Sequence, residues 1–197
     1  MASLTPAHHE DTTMSTAFPG FSGPLAGVEA PLDMLASCHT RIERQCAILT
    51  RLVPHLEQHG ADAEAASAAA GIIRYFDVAA PLHHADEEEN LFPELLEAMA
   101  GSDAVCIREI TASLAAEHRR LEADWRQLRN ALTQIAEGRP APLPTSDVQA
   151  FVQRYAGHLE HEDTELFPMA SRLLGDAALS RMGGAMARRR NLTPPKT

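Results

Sequence analysis

From Pro31 onward, apolar positions recur at steps of three and four: Leu32, Leu35, Ile42, Cys46, Leu49 and Val53, with His39 on the same stripe. This period predicts a first helix that opens on Pro31, a residue suited to a first helical position. It kinks or ends near Pro54, which has no amide to donate, and is finished by Gly60. A second helix is predicted from about Asp62 through Ile72, Ile73, Phe76 and Leu82, with Pro81 as a kink, Pro93 opening a short further turn and Gly101-Ser102-Asp103 closing it. The third runs from about Ala104 to Glu137, carrying Ile107, Ile110, Leu114, His118, Leu121, Trp125, Leu128, Leu132 and Ile135 on one stripe. After the break at Gly138-Arg139-Pro140, a fourth is expected from a cap near Ser146-Asp147 to Leu174, with Phe151, Tyr155, His158, Glu162 and Leu166 facing one way.

No strand pattern competes with these stripes. Four long amphipathic helices with short to moderate connections bury their apolar faces best as an all-α, antiparallel four-helix bundle, here over residues 30–175. Residues 1–29, rich in Pro, Gly, Ser and Thr, are expected to be a mobile tail, with His8 and His9 exposed in it. Residues 176–197 are expected to add a short amphipathic helix and a second tail.

Composition agrees with helices. Hydrophobic residues make up 45% of the chain and aromatics 5%, with Ala and Leu, strong helix formers, prominent among the former. A formal net charge of -10 argues against a general nucleic-acid or anionic-membrane partner, despite the local run Arg188-Arg189-Arg190. Cys38, Cys46 and Cys106 show no paired spacing, which fits neither a disulfide framework nor a zinc ribbon and makes a reducing cytoplasm the expected location. No apolar run approaches the roughly 20 residues of a membrane span.

The informative feature is a near-repeat. HHADEEENLFP, residues 83–93, returns 75 residues later as HLEHEDTELFP, residues 158–168; each has His-x3-Glu followed by Leu-Phe-Pro in the same register. Residues four apart share a helix face, so His83 with Glu87, and His158 with Glu162, can both point inward. His39 and His118 add one histidine from each remaining helix. Four imidazoles and two carboxylates gathered in a core need partners, and a metal supplies them efficiently. If each carboxylate bridges two ions and each ion takes two imidazoles, a roughly six-coordinate shell keeps room for a bridging oxygen and an exchangeable position. Nitrogen and oxygen donors without thiolate suit iron, with manganese or zinc as lesser alternatives.

The neighbours Glu88 and Asp163 fall about 140° from their histidines on an ideal helix, so they turn inward only if a π-turn rotates them. Asp86, Glu89 and Glu165 are expected to be solvated or to sit behind the ligands, and His84 and His161 to be exposed flanking residues. Two other metal classes fit poorly. The chain has no Glu-x2-His, the di-iron signature of ferritin-like bundles, and in His161-Glu162-Asp163-Thr164-Glu165 a glutamate stands where a zinc protease needs its second histidine.

With a histidine on the first helix, HHADEEENLFP on the second, Glu117-His118 on the third and HLEHEDTELFP on the fourth, the chain resembles the hemerythrin-like, or HHE cation-binding, family over roughly residues 30–190. The resemblance implies an up-and-down four-helix bundle around an oxygen- and carboxylate-bridged non-haem di-iron centre, with His39, His83, Glu87, His118, His158 and Glu162 as ligands. Glu122, His84 and Asp163 are possible auxiliaries. The set is similar to that of bacterial family members linked to iron-sulfur centre repair and nitric oxide handling. Oxygen carriers of the family have a His-x3-His pair on the third helix, where this chain has His118 and Glu122. The expected ligand is O2, NO or a peroxide, for sensing, detoxification or redox chemistry. The alternative is an iron-responsive regulatory or iron-handling module without turnover.

Overall fold

A computed structural model of the chain describes residues 27–99 and 104–192. Most of the expected N-terminal tail, with His8 and His9, lies outside these residues, as do the Gly101-Ser102-Asp103 closure and the Pro194-Pro195 end. Among the described residues there is no strand, and the fold is an all-α bundle. Its helices are α1, Pro31–His59; α2, a rod of consecutive helical segments from Ala63 to Ala98; α3, Ala104–Ala136; α4, a rod from Thr145 to Leu173; and a short α5, Asp176–Arg189. α1 and α3 each pack against both α2 and α4, and α5 folds back against α1 and α2.

The helix ends follow local chemistry. Asp62 caps α2 by accepting a hydrogen bond from the Ala65 amide at 2.8 Å. Gly60 ends α1 with φ of 69°, a left-handed conformation that favours glycine. The helix does not end near Pro54. α1 runs on to His59, because Pro54 sits on the exposed side where water can solvate the carbonyl it frees one turn back. Nor is residue 28 tail-like: Val28 is buried with Met34, Leu35 and Leu174 at one end of the bundle.

Three wide π-helical turns interrupt the rods at Tyr75–Ala79, Glu87–Leu91 and Glu162–Leu166. Each lies just before a proline: Pro81, Pro93 and Pro168. A proline inside a helix lacks its own amide and crowds the carbonyl four residues back. The wide turn relieves that crowding through bonds five residues apart, such as Phe92 N–H to Glu87 O and Phe167 N–H to Glu162 O. The repeated Leu-Phe-Pro thus accounts for a wide turn that begins at a glutamate in each copy.

The core has two apolar compartments. One holds Ile42, Leu49, Ile72, Phe76, Leu121, Trp125, Phe151 and Tyr155. The other holds Leu35, Leu91, Leu95, Leu114, Leu166 and Met182. On every long helix a histidine falls between them: His39 between Leu35 and Ile42, His83 between Ala80 and Leu91, His118 between Leu114 and Leu121, and His158 between Tyr155 and Leu166. A polar layer therefore crosses the waist of the bundle.

Candidate metal centre

His39, His83, Glu87, His118, His158 and Glu162 meet in this layer, each no more than 3% exposed. Their donor atoms form two groups of four. His39, His83, Glu87 and Glu162 make one, and Glu87, His118, His158 and Glu162 the other, with atoms within 4.8 Å of one another in each. Both carboxylates belong to both groups, and each divides its oxygens between them. Glu87 sets Oε1 3.4 Å from His83 Nε2 and Oε2 3.4 Å from His118 Nε2. Glu162 sets Oε2 3.2 Å from His39 Nε2 and Oε1 3.3 Å from His158 Nε2.

Three of the four imidazoles are fixed from behind by a carboxylate at Nδ1. His39 donates to Asp163 at 2.9 Å, His118 to Glu88 at 2.6 Å and His158 to Glu117 at 3.0 Å. The wide turns make two of these contacts possible, since they swing Glu88 and Asp163 in beside the glutamates that precede them. Each bond fixes the ring and leaves Nε2 aimed at the centre. His83 has no such partner; its Nδ1 is buried without a hydrogen bond.

The centre is poorly satisfied by protein alone. His39 Nε2, both nitrogens of His83 and all four oxygens of Glu87 and Glu162 are buried without a hydrogen-bond partner. Two carboxylates lie inside an apolar core where a lone charge is very costly. The protonation states show the strain. Burial and the charge of Glu162 push the Glu87 carboxyl up to about 8, while Glu162, although burial opposes it, is held low by His118 and His39. Burial presses His118 toward neutrality, but the flanking Glu162 and Glu87 outweigh it and bring its pKa up to about 10. Burial, reinforced by His39, drives His83 well below the ordinary histidine range. Donors about 2.1 Å from a shared cation lie about 3 Å from one another when at right angles, close to the spacings here, so the residues fit bound metal.

Several flanking residues sit elsewhere than expected. His84 is buried, not exposed: its ring stacks on His118 with centroids 4.0 Å apart. It joins His118 and His158 in a further group of three close nitrogens. Asp86 is not solvated but wholly buried, paired with Arg189 at the end of α5 and with Arg190 just beyond it. Glu89 is exposed and pairs with Arg189 at 2.6 Å. Glu122 is exposed and lies outside the donor groups. His161 is partly buried, 3.6 Å from Glu117. Glu117 stands behind His158, a place that the apolar stripes do not mark, because its position beside an inward His118 turns it toward α4.

A family model, the hemerythrin HHE cation-binding domain, matches residues 30–170. The chain belongs to the hemerythrin HHE cation-binding family. It is also similar to an uncharacterized protein of Haemophilus influenzae, 32% identical over 162 residues, a match covering 82% of this chain and 91% of the relative. Family membership and the buried His/Glu clusters together describe a helical metal-binding domain. No helix among the described residues is long and apolar enough to cross a membrane.

Proposed function

We propose that this hemerythrin HHE domain holds a carboxylate-bridged pair of iron ions and binds a small ligand, O2, NO or a peroxide, at that centre. The observation that carries this reading is the sharing of Glu87 and Glu162 between two four-donor groups, with one oxygen of each directed at either side. A single ion would leave two imidazoles and two carboxylate oxygens of the layer unmatched. Two ions use them all and leave coordination positions for a bridging oxygen and an exchangeable ligand. Imidazole and carboxylate donors without thiolate favour iron. When bound, the ions would supply Lewis acidity and a one- or two-electron store.

The chain's own groups prepare the site for this chemistry. Asp163, Glu88 and Glu117 hold three rings in place, and the two apolar compartments keep bulk water from the layer. The test is metal content of aerobically purified protein from iron-supplemented cells, with the visible spectrum recorded before and after nitric oxide. Close to two irons per chain and a gas-sensitive oxygen-bridge absorption are expected; one zinc, or none, would overturn the reading.

A second reading, an iron-responsive module in which occupancy controls a partner surface, is favoured by one feature. The donors come from all four long helices at the waist, so metal would bear on the cohesion of the whole bundle. Loss of most helical signal on chelation, without oxidant-dependent turnover, would select it.

A further inference from the structure

His84 is the buried imidazole that the six-residue set leaves out. Neither of its ring nitrogens has a hydrogen-bond partner, and it is 6% exposed. Its ring is nearly parallel to that of His118, at 13°, and edge-on to His158 with centroids 6.1 Å apart. It approaches the nitrogens of His118 and His158, yet it is not in the group those two form with Glu87 and Glu162. His84 therefore flanks an ion position and stands one step back from it. A buried polar atom without a partner is costly, so this ring has hydrogen-bonding capacity that something else is placed to use.

On its outer side His84 lines a cleft of 180 Å³ between α2 and α3, walled by Phe76, Leu121, Trp125 and Tyr155, with the exposed Glu122 on its lining. The size is selective. Water takes about 30 Å³ in the liquid, and pockets for organic ligands begin at about 300 Å³. With room for about six waters, the cleft admits small ligands and falls short of an ordinary organic-ligand pocket.

We propose that this cleft is the route by which the exogenous ligand reaches the centre, and that His84 binds it there: a diatomic, peroxide or small linear anion, hydrogen-bonded to His84 beside the ion position of Glu87, His118, His158 and Glu162. The inference rests on the metal-centre reading. It differs from that reading in assigning the ligand to one of the two ion positions and to a side chain that is not itself a metal donor. A larger cleft of 510 Å³ on the opposite side, between α1 and α4 and lined by Ala47, Val152 and Ala156, is the competing route.

The experiment uses iron-loaded full-length protein with azide as the probe, followed by metal analysis, equilibrium visible titration and stopped-flow association. His84→Leu should keep the wild-type iron content and bind azide at least about tenfold more weakly, the worth of one hydrogen bond to a charged group. His84→Gln, which keeps a donor, should recover part of that loss. Glu122→Trp, which plugs the α2/α3 cleft, should slow association, whereas Val152→Trp in the other cleft should not. Unchanged affinity in His84→Leu, loss of an iron from both His84 variants, or slowing by Val152→Trp alone would each overturn the assignment. Wild-type protein without iron would instead overturn the metal-centre reading and this inference with it.

Discussion

Asp163 Oδ1 on α4 lies 2.9 Å from Nδ1 of His39 on α1, so an acidic side chain that is half exposed fixes a ring that is nearly wholly buried. The contact spans two helices and aims the other nitrogen of His39 at Glu162. Asp163→Ala should weaken metal binding about 10- to 100-fold, the usual consequence of losing the group behind a metal-ligating histidine. Competition with a chelator of known affinity measures this. The midpoint of thermal unfolding of the metal-free protein should change little, because Asp163 is half exposed.

Shared and unshared donors should differ in stoichiometry. Glu162→Ala removes an oxygen from both donor groups and should abolish tight binding of both ions. His39→Ala touches one group and should spare the ion held by Glu87, His118, His158 and Glu162. Metal counted per chain after gel filtration distinguishes the two. Equal loss in both variants would argue for a single indivisible site.

Proton release gives a pH test. In the metal-free fold the Glu87 carboxyl is raised from 4.5 to about 8 and His118 from 6.5 to about 10. A raised group contributes stability that is present below its unfolded pKa and lost as pH rises through the folded value. His83, His84 and His158 are lowered, so their contribution is already complete above 6.5. The metal-free bundle should accordingly become less stable from about pH 6.5 to about 8, by thermal unfolding after chelation. Metal affinity should rise over the same window, because an ion must displace the protons on Glu87 and His118.

The same carboxyls predict a trade between stability and binding. Glu87→Gln takes one of two neighbouring acids out of the core while keeping its shape. At pH 8 the metal-free variant should melt higher than the wild type, by roughly 2 °C or more, and should fail to bind two ions. A lower melting point would show that the ionised Glu87 is stabilising without metal.

Asp86 should matter for stability rather than for binding. It is fully buried between Arg189 and Arg190, and Arg189 also donates to Asn90 at 2.9 Å. Asp86→Ala leaves the buried Arg190 without a carboxylate, while Arg189 keeps Glu89 and Asn90, and should cost about 3–5 kcal/mol in denaturant unfolding. Faster amide exchange along Asp176–Arg189 would locate the damage in α5.

Much of this was legible in the sequence for a physical reason. A histidine on an apolar stripe must be buried if the stripe is, so His39, His83, His118 and His158 could be placed from periodicity, and Glu87 and Glu162 from the four-residue step. Asp86 could not be placed, because its partners lie 103 and 104 residues away and carry no periodic mark. The burial of His84 is not legible in the sequence, because consecutive residues stand about 100° apart on a helix, and burial of both needs a neighbour on each side. His118 and Tyr155 supply the second neighbour. The inward swing of Glu88 and Asp163 depended on a wide turn that the sequence announces only through the following proline.

Those wide turns also act as a vernier between two spacings. His83, Glu87, Leu91 and Leu95 stand four residues apart, as do His158, Glu162, Leu166 and Ala170, and all eight are buried. On an unbroken helix of 3.6 residues per turn, a fourth member twelve residues along would have drifted about 120° from the first. Taking up one extra residue in the turn cancels much of that drift, so a single ladder can run from imidazole to carboxylate to leucine without leaving the axis. Deleting one residue between Glu87 and Leu91 would therefore set the two ends of the rod against each other: either the carboxylate keeps its place or the apolar end does.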